Sequence, residues 1–502
     1  MKSKLKFYPA ASRHLSMGTP IPVIYEMTKE YDITKEEIDS YIETKTRTKA
    51  MSLALMPVTK EEQKALYNTL DKRFIDRYKT LVTYRLGDNV FFYNYDGGVY
   101  KQVSDTDIED LIDGYMFELG LLEDRNSRRK ITDTTQRIAS LLSRTEGRHF
   151  KNEDIVGRQL KLNLKNGLLN MKTHKLTPHT PNYFSTAQVP FDYDPEAKAP
   201  KFEGFIDLVS SGDQTTKDMI QEMFGYCIGE GNPRHKVFYL YGDTARNGKS
   251  TTAKILCGLI GDDNYSTLSL GQIANGNSSQ LVSLIGKQLN FSDEISSKYI
   301  ESSMLTAMAA EGVIEINPKY KSPFMYQVRS KFVVACNDLP KFQNGQGMKH
   351  RMIIIPFQYF IPEGDRILRF DEVLLEEEGS GILNWAIQGN KMLEERKVFT
   401  ISEQSAEDMH DNVKESNSVY AFLYDTYDFD EKHTEDIRKK AMYGKYKDYC
   451  FDCKLMAKSY LSFCTEAKRF SKETLKMQEV RKYSEKFYTG IKELDLLDSD
   501  NF

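Results

Sequence analysis

No apolar run in this sequence approaches the ~18 residues that suggest a membrane span, so no membrane-crossing helix is expected. The opening stretch MKSKLKFYPAASRHLS is basic but lacks the apolar core of a secretory signal. Cysteine is scarce, 6 in 502 residues without dense spacing, which argues against a disulfide framework and for a reducing compartment. There is no self-similar repeat and no low-complexity tract, which excludes solenoids and biased linkers. These absences lead to the expectation of a cytoplasmic protein. What remains is a soluble globular composition, 40% hydrophobic and 28% charged, in a chain too long for one ordinary core.

The net charge of −4 hides an asymmetry. Between Arg438 and Lys492 there are 15 Lys or Arg against 6 Asp or Glu. The stretches EQSAEDMHDNVKESN and YDTYDFDEKHTED just before are acidic. A basic terminal module on a neutral or acidic body suits a nucleic-acid partner, and equally a solvated lysine-rich helical surface.

Composition and periodicity divide the chain into residues 1–80, helical and irregular; 81–200, an α+β domain; 201–400, alternating helices and buried strands; and 401–502, a C-terminal module. In the first segment TKEEIDSYIETKTRTKAMSLALM reads as the clearest helix. In the second, Asp96-Gly97-Gly98 inside NVFFYNYDGGVYKQV signals a hairpin, and LKLNLKNGLLNM alternates around Asn166-Gly167. DYDPEAKAP breaks the pattern near Pro195–Pro200. In the third, strands are expected at KVFYLYG, KQLNF, VIEIN, FMYQV, KFVVACN and MIIIPF, as an α/β sheet requires. Gly258 and Gly261 are expected to end the helix KSTTAKILCGLIG, and SEQSAEDMHDNVKESNS reads as the link into the last module.

The chemistry concentrates in YLYGDTARNGKSTTAKILCGL. A strand, a polar turn and an immediate helix form an anion site, because a helix N-terminus offers unpaired N–H groups and partial positive charge. In Asn247-Gly248-Lys249-Ser250-Thr251, Lys249 would reach the β- and γ-phosphates and Ser250 would ligate Mg²⁺; Asn247 and Thr251 would add hydrogen bonds. The turn is irregular: five residues separate Gly242 from Gly248, and Asp243 stands where the first glycine of a P-loop is usual. A second apolar strand, KQLNFSDEIS, ends in Asp293 and Glu294, 44 and 45 residues after Lys249. Asp293 suits Mg²⁺ and its hydration shell, and Glu294 the polarisation of attacking water; the pair also matches a helix start. After another 44 residues KFVVACND ends in Asn337, placed to bond a γ-phosphate and the lytic water, or simply to make a turn before Pro340. Arg351, before the strand MIIIPF, is placed to donate to a neighbouring subunit's nucleotide, with a structural salt bridge as the competing role. The tip Lys319-Tyr320-Lys321 between two alternating strands offers charge and a stacking face for DNA, although an exposed lysine-rich edge also deters aggregation. The lone pair Cys450 and Cys453, with only Cys464 nearby, falls short of the four ligands of a structural zinc site.

These motifs in this order resemble a superfamily 3 helicase, and more narrowly the helicase part of the primase-helicases of poxviruses, phages, plasmids and phage-satellite islands. NGKST, the acidic pair, ACNDLP and HRMIIIPF fall where the Walker A, Walker B, sensor and arginine motifs belong. The segment from LKLNLKNGLLNM to DYDPEAKAP resembles the region preceding the ATPase, and the resemblance runs from about Asp88 to the C-terminus. It implies an AAA+-like P-loop ATPase core with an α+β N-terminal region and a C-terminal winged-helix-like module within AMYGKYKDYCFDCKLMAKSYLSFCTEAKRF. It also implies ATP and Mg²⁺ as cofactors, a homo-hexameric ring on single-stranded and forked DNA, Arg351 acting in trans, and the Lys319–Lys321 tip in the pore. Origin duplex DNA and replication proteins of the host or element are the further implied partners. His350-Arg351 stands where many relatives have two arginines, so only Arg351 carries over, with Lys349 beside it. The first 80 residues show no primase-like acidic pattern, so primer synthesis is not expected.

The leading expectation is therefore an ATP-driven replicative DNA helicase of a mobile element that loads itself at the origin. An origin-binding initiator whose ATPase controls assembly and melting without processive unwinding is the alternative. An unrelated P-loop kinase would not account for the hairpin or the displaced arginine.

Overall fold

The computed structural model describes residues 11, 37–38, 60–119, 121, 127–151, 161–229, 231–276, 278–293, 299–319, 321–343, 346–430, 432–433, 435–474, 476–482 and 485–494. It is a mixed α/β chain in two compact units. The first comprises Met1–Pro195, Ile260–Asn264 and Ile314–Tyr326, and the second Glu196–Leu259, Tyr265–Val313 and Gln327–Phe502. Among the described residues no helix is long and apolar enough to cross a membrane. The helix expected in TKEEIDSYIETKTRTKAMSLALM lies outside them, except for Glu37 and Ile38, which are helical.

The first unit begins with α1 (Lys60–Arg77) and a meander of β1 (Leu81–Leu86), β2 (Asn89–Asp96) and β3 (Val99–Val103). α2 (Asp105–Glu118) and α3 (Ser127–Leu142) follow, and β4 (His149–Lys151) adds in parallel to β1. The sheet order is β3-β2-β1-β4. Gly97 and Gly98, at φ 56° and 90°, turn β2 into β3 with Asp96 opposite Val99. Positive φ at both turn residues matches the strand twist, which is why the Asp-Gly-Gly signal is sound. Leu70, Phe74, Leu81, Ile112, Ile138 and Leu142 bury the helices against this sheet. β5 (Lys161–Leu164), β6 (Gly167–Asn170) and β7 (Leu176–Thr177) form a second small sheet.

The second unit opens with α4 (Pro200–Val209) and α5 (Gln214–Ile228), followed by β8 (Val237–Tyr241) and α6 (Lys249–Ile260). Then come β9 (Tyr265–Ser266), α7 (Leu270–Ala274), β10 (Leu289–Asp293), β11 (Tyr299–Glu301) and α8 (Ser303–Ala309). The chain then makes the hairpin strands β12 (Val313–Ile316) and β13 (Phe324–Gln327), of which Ile314–Tyr326 belong to the first unit, and continues in the second unit with β14 (Lys331–Cys336), β15 (Lys341–Gln343), α9 (Gln346–Lys349) and β16 (Met352–Pro356). One five-stranded sheet, in the order β16-β8-β14-β10-β9, is parallel throughout. Every residue of β14 and β16 is buried, so their continuous apolar runs are those of strands covered on both faces.

α10 (Phe370–Arg396) crosses α5 at glycine contacts: a Cβ on Gly225 would lie 2.0 Å from Asn390 N, and one on Gly389 2.0 Å from Gln221 O. Gly258 proves to be a residue of the same kind rather than a helix stop. It sits inside α6, where a Cβ would meet Leu375 Cδ1 at 2.3 Å, and Gly261, at φ 99°, follows the helix end. The stretch read as a link is also corrected. Glu403–Ser416 is a regular helix, α11, capped by Ser402 and joined to the sheet region by Ser405 Oγ donating to Ile354 O at 2.6 Å. Its acidic face kept the sequence from looking like a packed element.

The C-terminal part runs α12 (Ser418–Thr426), β17 (Tyr427–Phe429), β18 (Ile437–Arg438), α13 (Lys439–Asp452) and α14 (Tyr460–Thr474). β19 (Gln478–Lys482), β20 (Glu485–Thr489) and β21 (Ile491–Glu493) complete it, with sheets β18-β20-β19 and β17-β21. Tyr420, Phe422, Tyr446, Phe463 and Phe470 form its core. Cys450 is buried in α13 while Cys453 is exposed.

Glu222 of α5 is fully buried and accepts from Thr400 N at 2.8 Å, Thr400 Oγ1 at 2.9 Å and Arg396 Nη1 at 2.9 Å. Glu222→Ala strands these donors and is expected to destabilise the second unit by about 3 kcal/mol. Denaturant unfolding followed by Trp385, the single tryptophan, checks this, since its ring lies 4.9 Å from Phe202 and 5.5 Å from Phe224.

Candidate functional site

The chain leaves β8 at Tyr241 and enters α6 at Lys249, so the intervening loop lies at the carboxyl edge of the parallel sheet, where open α/β sheets bind ligands. The loop is held from the segment after β16. Phe357 N donates to Tyr241 O at 2.7 Å and Ile361 N to Arg246 O at 2.9 Å. Asn247 is 1% exposed, and its side-chain amide donates to Thr244 O and Phe357 O, both at 2.9 Å. Its side chain therefore braces the loop. Gly242 is confined by the same contact, since a Cβ would sit 2.3 Å from Phe357 O. Gly248, at φ 88°, could not carry a side chain without meeting Val209 Cγ1 at 2.4 Å.

Lys249 is the electrostatic centre. Only 6% exposed, its Nζ donates to Gly242 O at 2.7 Å, Thr244 O at 3.1 Å and Asn337 Oδ1 at 2.8 Å. All three acceptors are neutral. Burial lowers its pKa below the ordinary lysine value, against smaller opposing pulls from Cys336 and Asp243. The neighbouring Cys336 thiol is pushed up to about 12 by burial, so it stays protonated near neutrality and is no nucleophile.

Around this ammonium is a cleft of about 440 Å³. It brings together Asn247, Gly248, Lys249, Ser250 and Thr251 from the loop and helix, Asp293 from the end of β10, and Asn337 from the end of β14. Ser250 and Asp293 are exposed oxygen donors there. Such a hard-oxygen pair suits Mg²⁺ shared with water and phosphates. Of the further lining residues two are charged: Asp338, adjacent to Asn337, and Arg246. The ending CND carried a signal for Asp338, but neither residue stood out from the sequence.

Other expected residues lie elsewhere. Glu294 and Tyr320 fall outside the described residues. Arg351 immediately precedes β16, whose Met352 pairs with Val237 at the start of β8. The loop leaves the other end of β8, five residues on, about 16 Å away at the rise of a strand. Arg351 is thus no part of its own chain's cleft. Its Nη1 donates to Gly347 O at 2.6 Å, while Nε is buried with no partner among the described residues. Lys319 is exposed. Lys321, in the first unit, pairs with Asp105 Oδ2 at 2.9 Å and lies 4.4 Å from the centre of the Phe91 ring. Asn89 Nδ2 donates to Ser322 O at 2.8 Å beside it.

Residues 71–211 match the family described as D5 N terminal like, and residues 240–351 match a family of unknown function. The second match runs from β8 to Arg351 and so spans the cleft residues. No curated protein matches the chain. Among solved structures, the apo A form of the NrS-1 C-terminal region is 10% identical, with 84% of this chain and 97% of that chain covered at a TM-score of 0.45. A second A-form structure of that region gives 9% identity, 85% and 99% coverage and a TM-score of 0.47. A further apo structure gives 10%, 84%, 97% and 0.40.

Folding disfavours the Lys249 charge, because its folded-state pKa lies below the unfolded value of about 10.4. That cost is complete below the folded pKa and fades as pH rises through it toward the unfolded one. Lys249→Met, without nucleotide, is therefore expected to unfold no earlier than the parent protein near neutral pH. Its relative advantage should shrink as the pH rises from neutrality toward the unfolded value of about 10.4. Thermal unfolding across that range measures both.

Proposed function

We propose that the protein is an ATP-driven DNA helicase of a mobile element's replication system, working as a homo-hexameric ring. The observation that carries this reading is the Lys249 ammonium, buried among three neutral oxygens and facing a cleft at the end of a parallel sheet. Such a charge gains most from an anion, and a nucleotide's phosphates at the N-terminus of α6 supply it. The D5 N-terminal-like match covers the segment that resembles the region preceding the ATPase in primase-helicases, and supports a phage-type replication protein.

In this reading the loop amides and Lys249 hold the β- and γ-phosphates, and Ser250 and Asp293 hold Mg²⁺. The ion, when bound with ATP, neutralises charge on the transferring phosphoryl group. Asn337 changes partners, moving its Oδ1 from the Lys249 ammonium toward the lytic water as the phosphates arrive. Glu294 polarises that water. Arg351, at the far edge of its own sheet, donates to the nucleotide of a neighbouring copy, which makes each active site a property of two subunits. The order α12, β18, α13, α14, β19, β20 supports a winged-helix-like module, and its surplus of 15 cations over 6 anions between Arg438 and Lys492 suits duplex or forked DNA. Lys319 and Lys321 contact single-stranded DNA once Lys321 leaves Asp105.

The second reading, an origin-binding initiator, draws on the same basic module and differs in lacking processive unwinding. ATP hydrolysis with and without single-stranded DNA, and strand displacement on a forked duplex, separate the two. DNA-stimulated hydrolysis with displacement is expected. Stimulated hydrolysis without displacement selects the initiator. Lys249→Ala should abolish both activities; retention of either rules out the site. Arg351→Ala should lower turnover by about 10³-fold while leaving ATP binding by equilibrium titration near the parent value. Lys319→Ala with Lys321→Ala should remove DNA stimulation while sparing basal hydrolysis, and unchanged stimulation excludes the hairpin from DNA.

A further inference from the structure

The enlarged shoulder of the loop, Asp243 to Arg246, has no role in the reading above. Arg246 adopts φ 69°, a left-handed conformation that favours glycine over arginine. The position is held by Ile361 N, which donates to Arg246 O at 2.9 Å, and by the Asn247 amide on Thr244 O at 2.9 Å. Two residues later Gly248 takes its own left-handed position with the expected residue type. Seven other non-glycine residues among those described share a positive φ, so the conformation only raises the question of the side chain's task.

Its surroundings define that task. The Arg246 side chain is exposed, lines the cleft and makes no ion pair among the described residues. Thr244 O lies 3.1 Å from Lys249 Nζ, so the shoulder stands beside the buried ammonium and at the same end of the cleft as Asn337. That is the end where Lys249 reaches the outer phosphates. A guanidinium offers a planar fork of donors matched to phosphate oxygens, which a second ammonium would not reproduce.

We infer that Arg246 is a specificity-determining residue whose guanidinium takes the terminal phosphate of a nucleoside triphosphate bound in the cleft of its own chain, favouring triphosphate over diphosphate. This rests on the nucleotide reading of the site and differs from the role of Arg351, which serves a neighbour. The left-handed backbone gives Arg246→Gly a useful property: it removes the fork while suiting the loop, so folding is preserved. Arg246→Asn, also tolerant of this conformation, serves as the second variant.

The test is equilibrium titration of the full chain with Mg-ATP and with Mg-ADP, alongside unfolding temperatures without nucleotide. Both variants should unfold with the parent protein. ATP affinity should fall about tenfold, the scale of a lost charge-assisted phosphate contact, while ADP affinity changes less than about twofold. Arg246→Lys should fall between. Equal losses for ATP and ADP, or parent-like ATP binding in both variants, overturn the inference. The parent protein and Lys249→Ala separate the two levels. If the parent binds neither nucleotide, the function proposed for the cleft fails and this role with it. If the parent binds both and Lys249→Ala neither, a parent-like Arg246→Gly defeats this role alone.

Discussion

A cation buried among neutral acceptors is the constraint on which the loop of the second unit depends. The Lys249 ammonium cannot be left bare in a protein interior, so three carbonyl-type oxygens converge on it from Gly242, Thr244 and Asn337. Each comes from a different requirement of the fold. Gly242 O is available because the chain turns directly after β8, Thr244 O because Asn247 ties the loop back on itself, and Asn337 because β14 lies next to β8. Neutral acceptors satisfy the ammonium's hydrogens but not its charge. The cleft is thereby biased toward anions before any ligand arrives.

The loop is not a free-standing motif. Its bracing comes from residues 357–361, which follow β16, so strand β16 supports the loop as well as bringing Arg351 to the opposite edge of the sheet. The edge that carries Arg351 and the edge that carries the loop are thus joined by one five-residue strand. In the proposed ring, that strand would mechanically couple the nucleotide a subunit holds to the one it senses next door.

The parts legible in the sequence were those written in local chemistry. Buried parallel strands announced themselves as apolar runs, the Asp96-Gly97-Gly98 turn by its need for positive φ, and the helix start at Lys249 by NGKST. Residues whose meaning depends on distant chain were not legible. Gly258 looked like a stop because its partner Leu375 is more than 100 positions away. Glu403–Ser416 looked like a link because its charged face dominates its composition. Asn247 reads as a phosphate-contacting residue, and that its side chain also braces the loop shows only in the carbonyl of Phe357. Arg246 falls in the irregular stretch Asp243 to Arg246, but its backbone handedness is invisible in the sequence.

Lys321 does not begin as a freely solvated cation. Its ammonium already holds the Asp105 carboxylate and the face of Phe91. A freely solvated lysine that meets a phosphate expels a condensed counterion and gains mixing entropy, which makes its binding steeply dependent on salt. Lys321 would instead trade one anion for another, returning Asp105 to the ion atmosphere as it leaves. The phosphate still sheds its condensed cation, while the freed carboxylate gathers only a diffuse one. A hairpin built this way would therefore keep its salt dependence and spend part of its grip on releasing Asp105.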